Sequence, residues 1–190
     1  MNDGIHIRRA LDEDLMGLAA ITLDCVAGGA SIGFMETLTL EQSAAFWQKC
    51  LESAGRSERI ILVAQDADSD VLVGTVQLVM AAPENQPHRA DIAKLQVHRN
   101  VRGNGIASKL MNAIECEAWA LGRHLLVLDT VTKSPAEGLY LRLGWSKCGE
   151  IPKYALWPNG EYCSTTVFYK DLADRSPVTR ADCERNDDVF

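Results

Sequence analysis

The chain has 190 residues, of which 47% are hydrophobic and 24% charged, enough apolar material for one buried core and too much for a disordered chain. Lys plus Arg number 19 against 26 Asp plus Glu, and the formal net charge of -7 argues against a nucleic-acid binder, whose phosphate contacts need a surplus of cations. The opening MNDGIHIRRALDEDL carries charges where a signal peptide needs an apolar run, and no stretch approaches the roughly 20 apolar residues of a membrane span, so a cytoplasmic protein is expected.

In chain order, IHIRR alternates in period two and predicts a strand, and LDEDLMGLAAITLDCVAGG predicts a helix stopped by Gly28 and Gly29. Thr39 precedes LEQSAAFWQKCLESAG with Gln42 three positions on, the pattern of a capping box. RIILVAQD and VLVGTVQLVMAA flank the turn DADSD and predict a hairpin. ADIAKLQVH predicts a further strand, followed by a long helix whose apolar stripe is Ala107, Leu110, Met111, Ile114, Ala118 and Leu121. HLLVLDT predicts a strand buried on both faces. SPAEGLYLRLG predicts a short helix capped by Ser134, with Pro135 at its first position. Strands around SKCGEIPKYA and STTVFYKDL flank the turn WPNG, and a single domain over residues 1–172 ends in a polar tail over 173–190. The order predicts an α/β (α+β) fold with a mixed, mostly antiparallel sheet of about seven strands flanked by four helices, with one crossover through the long helix.

The six cysteines, Cys25, Cys50, Cys116, Cys148, Cys163 and Cys183, are spaced too widely for a zinc knuckle or a Cys-x-x-Cys pair. They are expected to be reduced and mostly buried; Cys116 and Cys148 sit among apolar neighbours in sequence. His6, His88, His98 and His124 show no ligand spacing either, and no metal is expected.

The informative stretch is KLQVHRNVRGNGIASKLM, where a strand runs through Arg102, Gly103, Asn104 and Gly105 straight into a helix. Glycines let the backbone turn its N–H groups toward a ligand, and the unpaired amides of a helix start favour an anion such as a pyrophosphate. A P-loop needs Lys and then Ser or Thr after its second glycine, where Ile106 and Ala107 stand. A dinucleotide fingerprint wants Gly or Ala where Ser108 stands, and an early parallel βαβ unit. Residues 86–112 carry a net charge of +4, a small positive island around this turn.

Arg102-x-x-Gly105-x-Ala107, placed between strand and helix, resembles the Arg/Gln-x-x-Gly-x-Gly/Ala signature of the GNAT superfamily of N-acetyltransferases, and the element order over residues 4–172 is similar too. GGASIGFM, DIAKLQVH, LLVLDT and IPKYALWPNG resemble the tabtoxin-resistance acetyltransferase group more narrowly. The resemblance implies acetyl-CoA as co-substrate, with main-chain groups of Leu95, Gln96 and Val97 along the pantetheine arm. It implies that the amides of Gly103, Asn104, Gly105, Ile106, Ala107 and Ser108 hold the pyrophosphate, with Arg102, and Arg99 or Lys109, adding charge. Tyr140 stands where the family has a tyrosine near the CoA sulfur; Ser134 replaces an Asn found in many relatives. Asp91, on the signature strand where several relatives carry a catalytic Glu, and Asp129, closing an apolar strand, are the candidate bases for the acceptor amine. Phe34 and Met35 are expected to wall the acceptor side, and His88 to lie in a solvent-exposed loop.

The function expected is acetyl transfer to a primary amine of a small molecule, amino-acid-like or toxin-like, by direct attack in a ternary complex. The alternatives are a non-catalytic acyl-CoA-binding module and a nicotinamide-dependent oxidoreductase. No nucleic acid or membrane partner is expected. A homodimer is carried as an expectation because dimers are the commonest assembly.

Overall fold

The computed structural model describes residues 4–173. Its strands are β1 (Ile5–Arg9), β2 (Arg59–Asp66), β3 (Leu72–Met80), β4 (Arg89–Val97), β5 (Leu125–Val131), β6 (Ser146–Leu156) and β7 (Tyr162–Asp171). Its helices are α1 (Leu15–Ala27), α2 (Leu40–Gly55), α3 (Ile106–Ala120) and α4 (Pro135–Arg142). The strands form one seven-stranded sheet in the order β1-β2-β3-β4-β5-β7-β6. Every neighbouring pair is antiparallel except β4 and β5, which α3 connects. This is the expected architecture, and residues 174–190, most of the expected polar tail, lie outside the described residues.

The sheet is sandwiched because its central strands are apolar on both faces. On β2, Ile60, Leu62 and Ala64 join the core under α3 and α4, while Ile61 and Val63 join the core under α1 and α2. Thr39 and Gln42 form the expected capping box at the start of α2, worth about 1 kcal/mol. Below that helix Trp47, fully buried, donates from its indole nitrogen to Thr22 Oγ1 at 2.8 Å, tying α2 to α1.

Three local expectations are corrected. Leu121 is 46% exposed, so the buried stripe of α3 ends at Ala118, and Leu121 is the C-cap beyond the last helical residue, Ala120. β5 is not buried on both faces: Leu126 and Leu128 enter the core, whereas Asp129 is exposed and lines the cleft described below. Of the cysteines, Cys25, Cys50, Cys148 and Cys163 are free thiols, but Cys148 is exposed and Cys116 is disulfide-bonded. Cys183 lies outside the described residues.

Candidate active site

β4 and β5 pair only at Arg89–Leu125, Ala90–Leu126 and Asp91–Val127 and then part. β5 turns its far edge to β7 as far as Val131–Thr165, so the sheet splits into a wedge between its two halves. The parting coincides with a bulge in β4: between the pairs Gln77–Ala93 and Thr75–Gln96, β4 places Lys94 and Leu95 opposite Val76 alone. Lys94 takes φ +51° there, a left-handed conformation rarely imposed on a lysine. The wedge opens into a cleft of about 1020 Å³, lined on one side by Ile92 to Val97 and on the other by Asp129, Thr130 and Val131.

One end of the cleft is made by the glycine turn. Gly103 and Gly105 have φ +83° and +79°, and Gly105 is the N-cap of α3. A Cβ at either would meet nothing within 4 Å, so these glycines are required by backbone conformation and face open space. The first intrahelical bond runs from Lys109 N–H to the Gly105 carbonyl. The amides of Gly103, Gly105, Ile106, Ala107 and Ser108 therefore remain without a main-chain acceptor at the positive end of a fifteen-residue helix. This arrangement fits an anion such as a pyrophosphate in donor count and in the sign of its charge.

Arg102 lines the same end, but its Nε donates to the Val97 carbonyl at 2.9 Å, bracing the strand-to-turn junction. Arg99 is turned away: its Nε lies 2.6 Å from Asp24 Oδ1, and its backbone N–H donates to Asp24 Oδ2 at 2.9 Å. Burial pushes the Asp24 carboxyl up, and these bonds outweigh it and hold the carboxyl below its ordinary value. The positive island is thus dispersed: Arg89 pairs with Asp91, Arg99 with Asp24, and Lys94 lies in the cleft.

At the other end, Tyr140 is 6% exposed, with its ring 6.0 Å from those of Trp145 and Phe168. It lines the cleft, and its hydroxyl makes no hydrogen bond to the described residues. Burial, with the nearby Asp129 charge, pushes the phenol well above its ordinary pKa, so it stays protonated. Asp129 Oδ2 accepts from Thr165 Oγ1 at 2.7 Å, a bond across β5 and β7 that fixes the carboxylate at the cleft wall. Asp91 is placed differently: it accepts from Arg89 Nη1 at 2.8 Å and is not among the residues lining the cleft. The structure therefore brings Asp129 and Tyr140 together and leaves Asp91 outside. Ser134 lines the cleft while its Oγ accepts from the Glu137 amide at 3.3 Å as the cap of α4.

The loop after α1 supplies the wall opposite β5 through Ser31, Ile32 and Gly33. Phe34 packs edge-on against Phe46 at 5.1 Å and Met35 is exposed, so neither of these expected wall residues lines the cleft. The residue missed by sequence reasoning is Lys94. Its side chain lies beneath that loop, and Nζ donates to the Ile32 carbonyl at 2.6 Å and sits 5.3 Å from the ring centroids of Phe34 and Phe46. An apolar-to-polar alternation cannot reveal it, because the bulge shifts the register at that residue. His88 lies in an exposed loop, and among the described residues no metal-binding group of His, Cys, Asp and Glu occurs. No helix among them is long and apolar enough to cross a membrane.

Residues 57–147 match a family model described as "Acetyltransferase (GNAT) domain". The chain is similar to the crystal structure of an N-acetyltransferase from Staphylococcus aureus Mu50, with TM-score 0.75 at 21% identity over 88% of this chain and 98% of that one. It is similar to the structure of yncA from Salmonella typhimurium with its cofactor acetyl-CoA, with TM-score 0.73 at 18% identity over 93% and 99%. The ribosomal-protein-alanine N-acetyltransferase from Brucella melitensis aligns with TM-score 0.75 at 25% identity over 88% and 99%. The wedge, the glycine turn and the start of α4 all fall within the matched stretch, and the seven-stranded mixed sheet with its four helices is a GNAT α/β fold.

Proposed function

We propose that the chain is a cytoplasmic N-acetyltransferase that moves the acetyl group of acetyl-CoA to a primary amine of a small molecule, with both substrates bound together. The observation that carries this reading is the wedge between β4 and β5 running into a turn of outward-facing amides. In this reading the main chain of Leu95, Gln96 and Val97 follows the pantetheine arm. The amides of Gly103, Asn104, Gly105, Ile106, Ala107 and Ser108 receive the pyrophosphate, and Arg102 closes the strand behind them. Acetyl-CoA supplies an acyl group activated as a thioester.

The chain's residues have two proton tasks. Asp129 takes a proton from the incoming ammonium, directly or through a water, leaving a nitrogen lone pair for attack. Tyr140 gives its proton to the departing sulfur as the C–S bond breaks and the C–N bond forms, and regains one from the acetylated nitrogen. The sum is amide, thiol and one proton released to solvent from Asp129. A phenol held protonated by burial suits the donor role, and a carboxylate fixed by Thr165 suits the acceptor role. Asp91, committed to Arg89, is assigned no proton transfer.

Thiol release from acetyl-CoA across a panel of amines, with products weighed by mass spectrometry, tests the reading. Turnover of at least one amine with a mass gain of one acetyl group is expected. Binding of acetyl-CoA without thiol release from any amine would instead make the chain a non-catalytic acyl-CoA-binding module.

A further inference from the structure

The cleft is bridged. Residues 28–39 join α1 to α2 on the half of the sheet that ends at β4, whereas β6 and β7 belong to the half beyond β5. Ser31 Oγ donates to the Leu156 carbonyl at 2.8 Å and stands 3.6 Å from Cys163 Sγ. The hydroxyl has one proton, which the carbonyl takes, so the thiol is the donor in the second contact. One turn of chain later, the Glu36 N–H donates to the Pro158 carbonyl at 3.2 Å. Ser31 and Cys163 both line the cleft, so the contact between them spans it.

This strap is anchored unequally. At its root, Lys94 Nζ on β4 donates to the Ile32 carbonyl at 2.6 Å, and Phe34 packs edge-on against Phe46 of α2. Its polar attachment to the β6–β7 hairpin, among the described residues, is the two neutral hydrogen bonds and the thiol contact. Neutral bonds at part-exposed groups are the first to open in a native structure. Beyond the bridge lies a second hollow of about 350 Å³, bounded by Glu36, Pro158 and Glu161. Gly29 and Trp157 line both spaces, so the hollow and the cleft share a wall there. In the acetyl-transfer reading, acetyl-CoA fills the β4 side and the glycine turn, and an amine has to reach Asp129 past this bridge.

We propose that the Ser31–Leu156 bridge is a latch on the acceptor's entrance: it opens to admit the amine from the outer hollow and then closes over it, while Lys94 holds the root of the strap. This inference rests on the acetyl-transfer reading and adds the route by which the acceptor arrives. Closure after entry keeps water from the thioester, and opening releases the acetylated product. The exposed carboxylates of Glu36 and Glu161 give the hollow the sign that attracts an ammonium.

The test locks the latch. Ser31→Cys sets a second thiol against Cys163, and an added disulfide oxidant removes one hydrogen from each to join them. Peptide mass mapping identifies the bond, and Ser31→Cys with Cys163→Ser, treated alike, controls for oxidation elsewhere. The locked enzyme is expected to lose about tenfold or more in kcat/KM for the amine against its own reduced form. Calorimetric binding of acetyl-CoA should stay within about threefold, and a thiol reductant should restore turnover. A second measurement needs no oxidation. In Ser31→Ala the Glu36 amide is expected to exchange its hydrogen about twofold to tenfold faster, the range of one neutral hydrogen bond. The Trp145 amide, bonded to the Tyr140 carbonyl at 3.0 Å in the core, should be unchanged. A locked enzyme as active as its reduced form, a thiol pair that does not close, or unchanged Glu36 exchange overturns the latch and leaves acetyl transfer standing. No thiol release with any amine, by wild-type chain that binds acetyl-CoA, overturns both.

Discussion

Replacing Tyr140 by Phe removes one oxygen from a site where that oxygen has no partner among the described residues, while the ring keeps its packing against Trp145 and Phe168. No donor or acceptor is orphaned, so stability near neutral pH should change by no more than about 0.5 kcal/mol. A positioned acid contributes about 10²- to 10⁴-fold, equivalent to roughly 2.7–5.5 kcal/mol of barrier. Tyr140→Phe is therefore expected to lower kcat by that factor with the KM for acetyl-CoA little changed, measured by thiol release alongside thermal unfolding. Linkage adds a second readout. The folded phenol titrates above its unfolded value of 10.0, so as pH rises past about 10 the unfolded chain loses this proton first. Its contribution is intact below that pH and declines above it, and the stability gap should move in favour of the Phe variant in alkali. A kcat within threefold of wild type, or a kcat loss matched by a collapse in Tm, refutes the proton-donor role.

Asp129→Asn keeps an oxygen for the Thr165 hydroxyl but removes the base. It should fold normally and lower kcat about 10²-fold or more, whereas Asp91→Asn should leave kcat unchanged. Gly105→Ala places a Cβ at φ +79°, costing roughly 1–2 kcal/mol in chemical denaturation, and directs that Cβ into the open space where the proposed pyrophosphate would bind. Calorimetry should show acetyl-CoA binding weakened by about tenfold or more, beyond any stability loss. Lys170 and Glu115 form a buried ion pair, with Glu115 also accepting from Trp145 Nε1 at 3.1 Å beside Tyr140. Lys170→Met should destabilise the fold by about 3–5 kcal/mol in chemical denaturation, and the double change Lys170→Met with Glu115→Gln should recover much of it.

Most of the fold was legible in the chain because its elements carry local signals. Thr39 and Gln42, and Ser134 and Pro135, specify helix caps through contacts within a few residues, and the apolar run Ile60 to Ala64 marks a strand buried on both faces. The glycine turn was equally legible, since positive φ at Gly103 and Gly105 is a local demand. Tyr140 and Asp129 could be nominated as site residues, but sequence alone gives no reason to separate Asp129 from Asp91. Both lie on apolar strands, and their difference arises from partners: Arg89 claims one carboxylate, and Thr165, across a non-local strand pair, orients the other into the cleft.

The composition and local pattern by themselves determined an acidic α/β chain with a glycine turn at the start of its long helix. Those properties come from residue counts, periodicity and backbone conformation, which need no distant partner. Only the tertiary structure decided where the strands part, which cations reach the cleft and which are spent elsewhere. The bulge in β4 turns Lys94 beneath a loop 62 residues away in sequence, at the Ile32 carbonyl, and Asp24 holds Arg99 away from the glycine turn. Charge placed by long-range packing has no signature in a charge count. The net -7 of the whole chain and the +4 of its signature region therefore described the protein correctly without locating Lys94 beneath that loop.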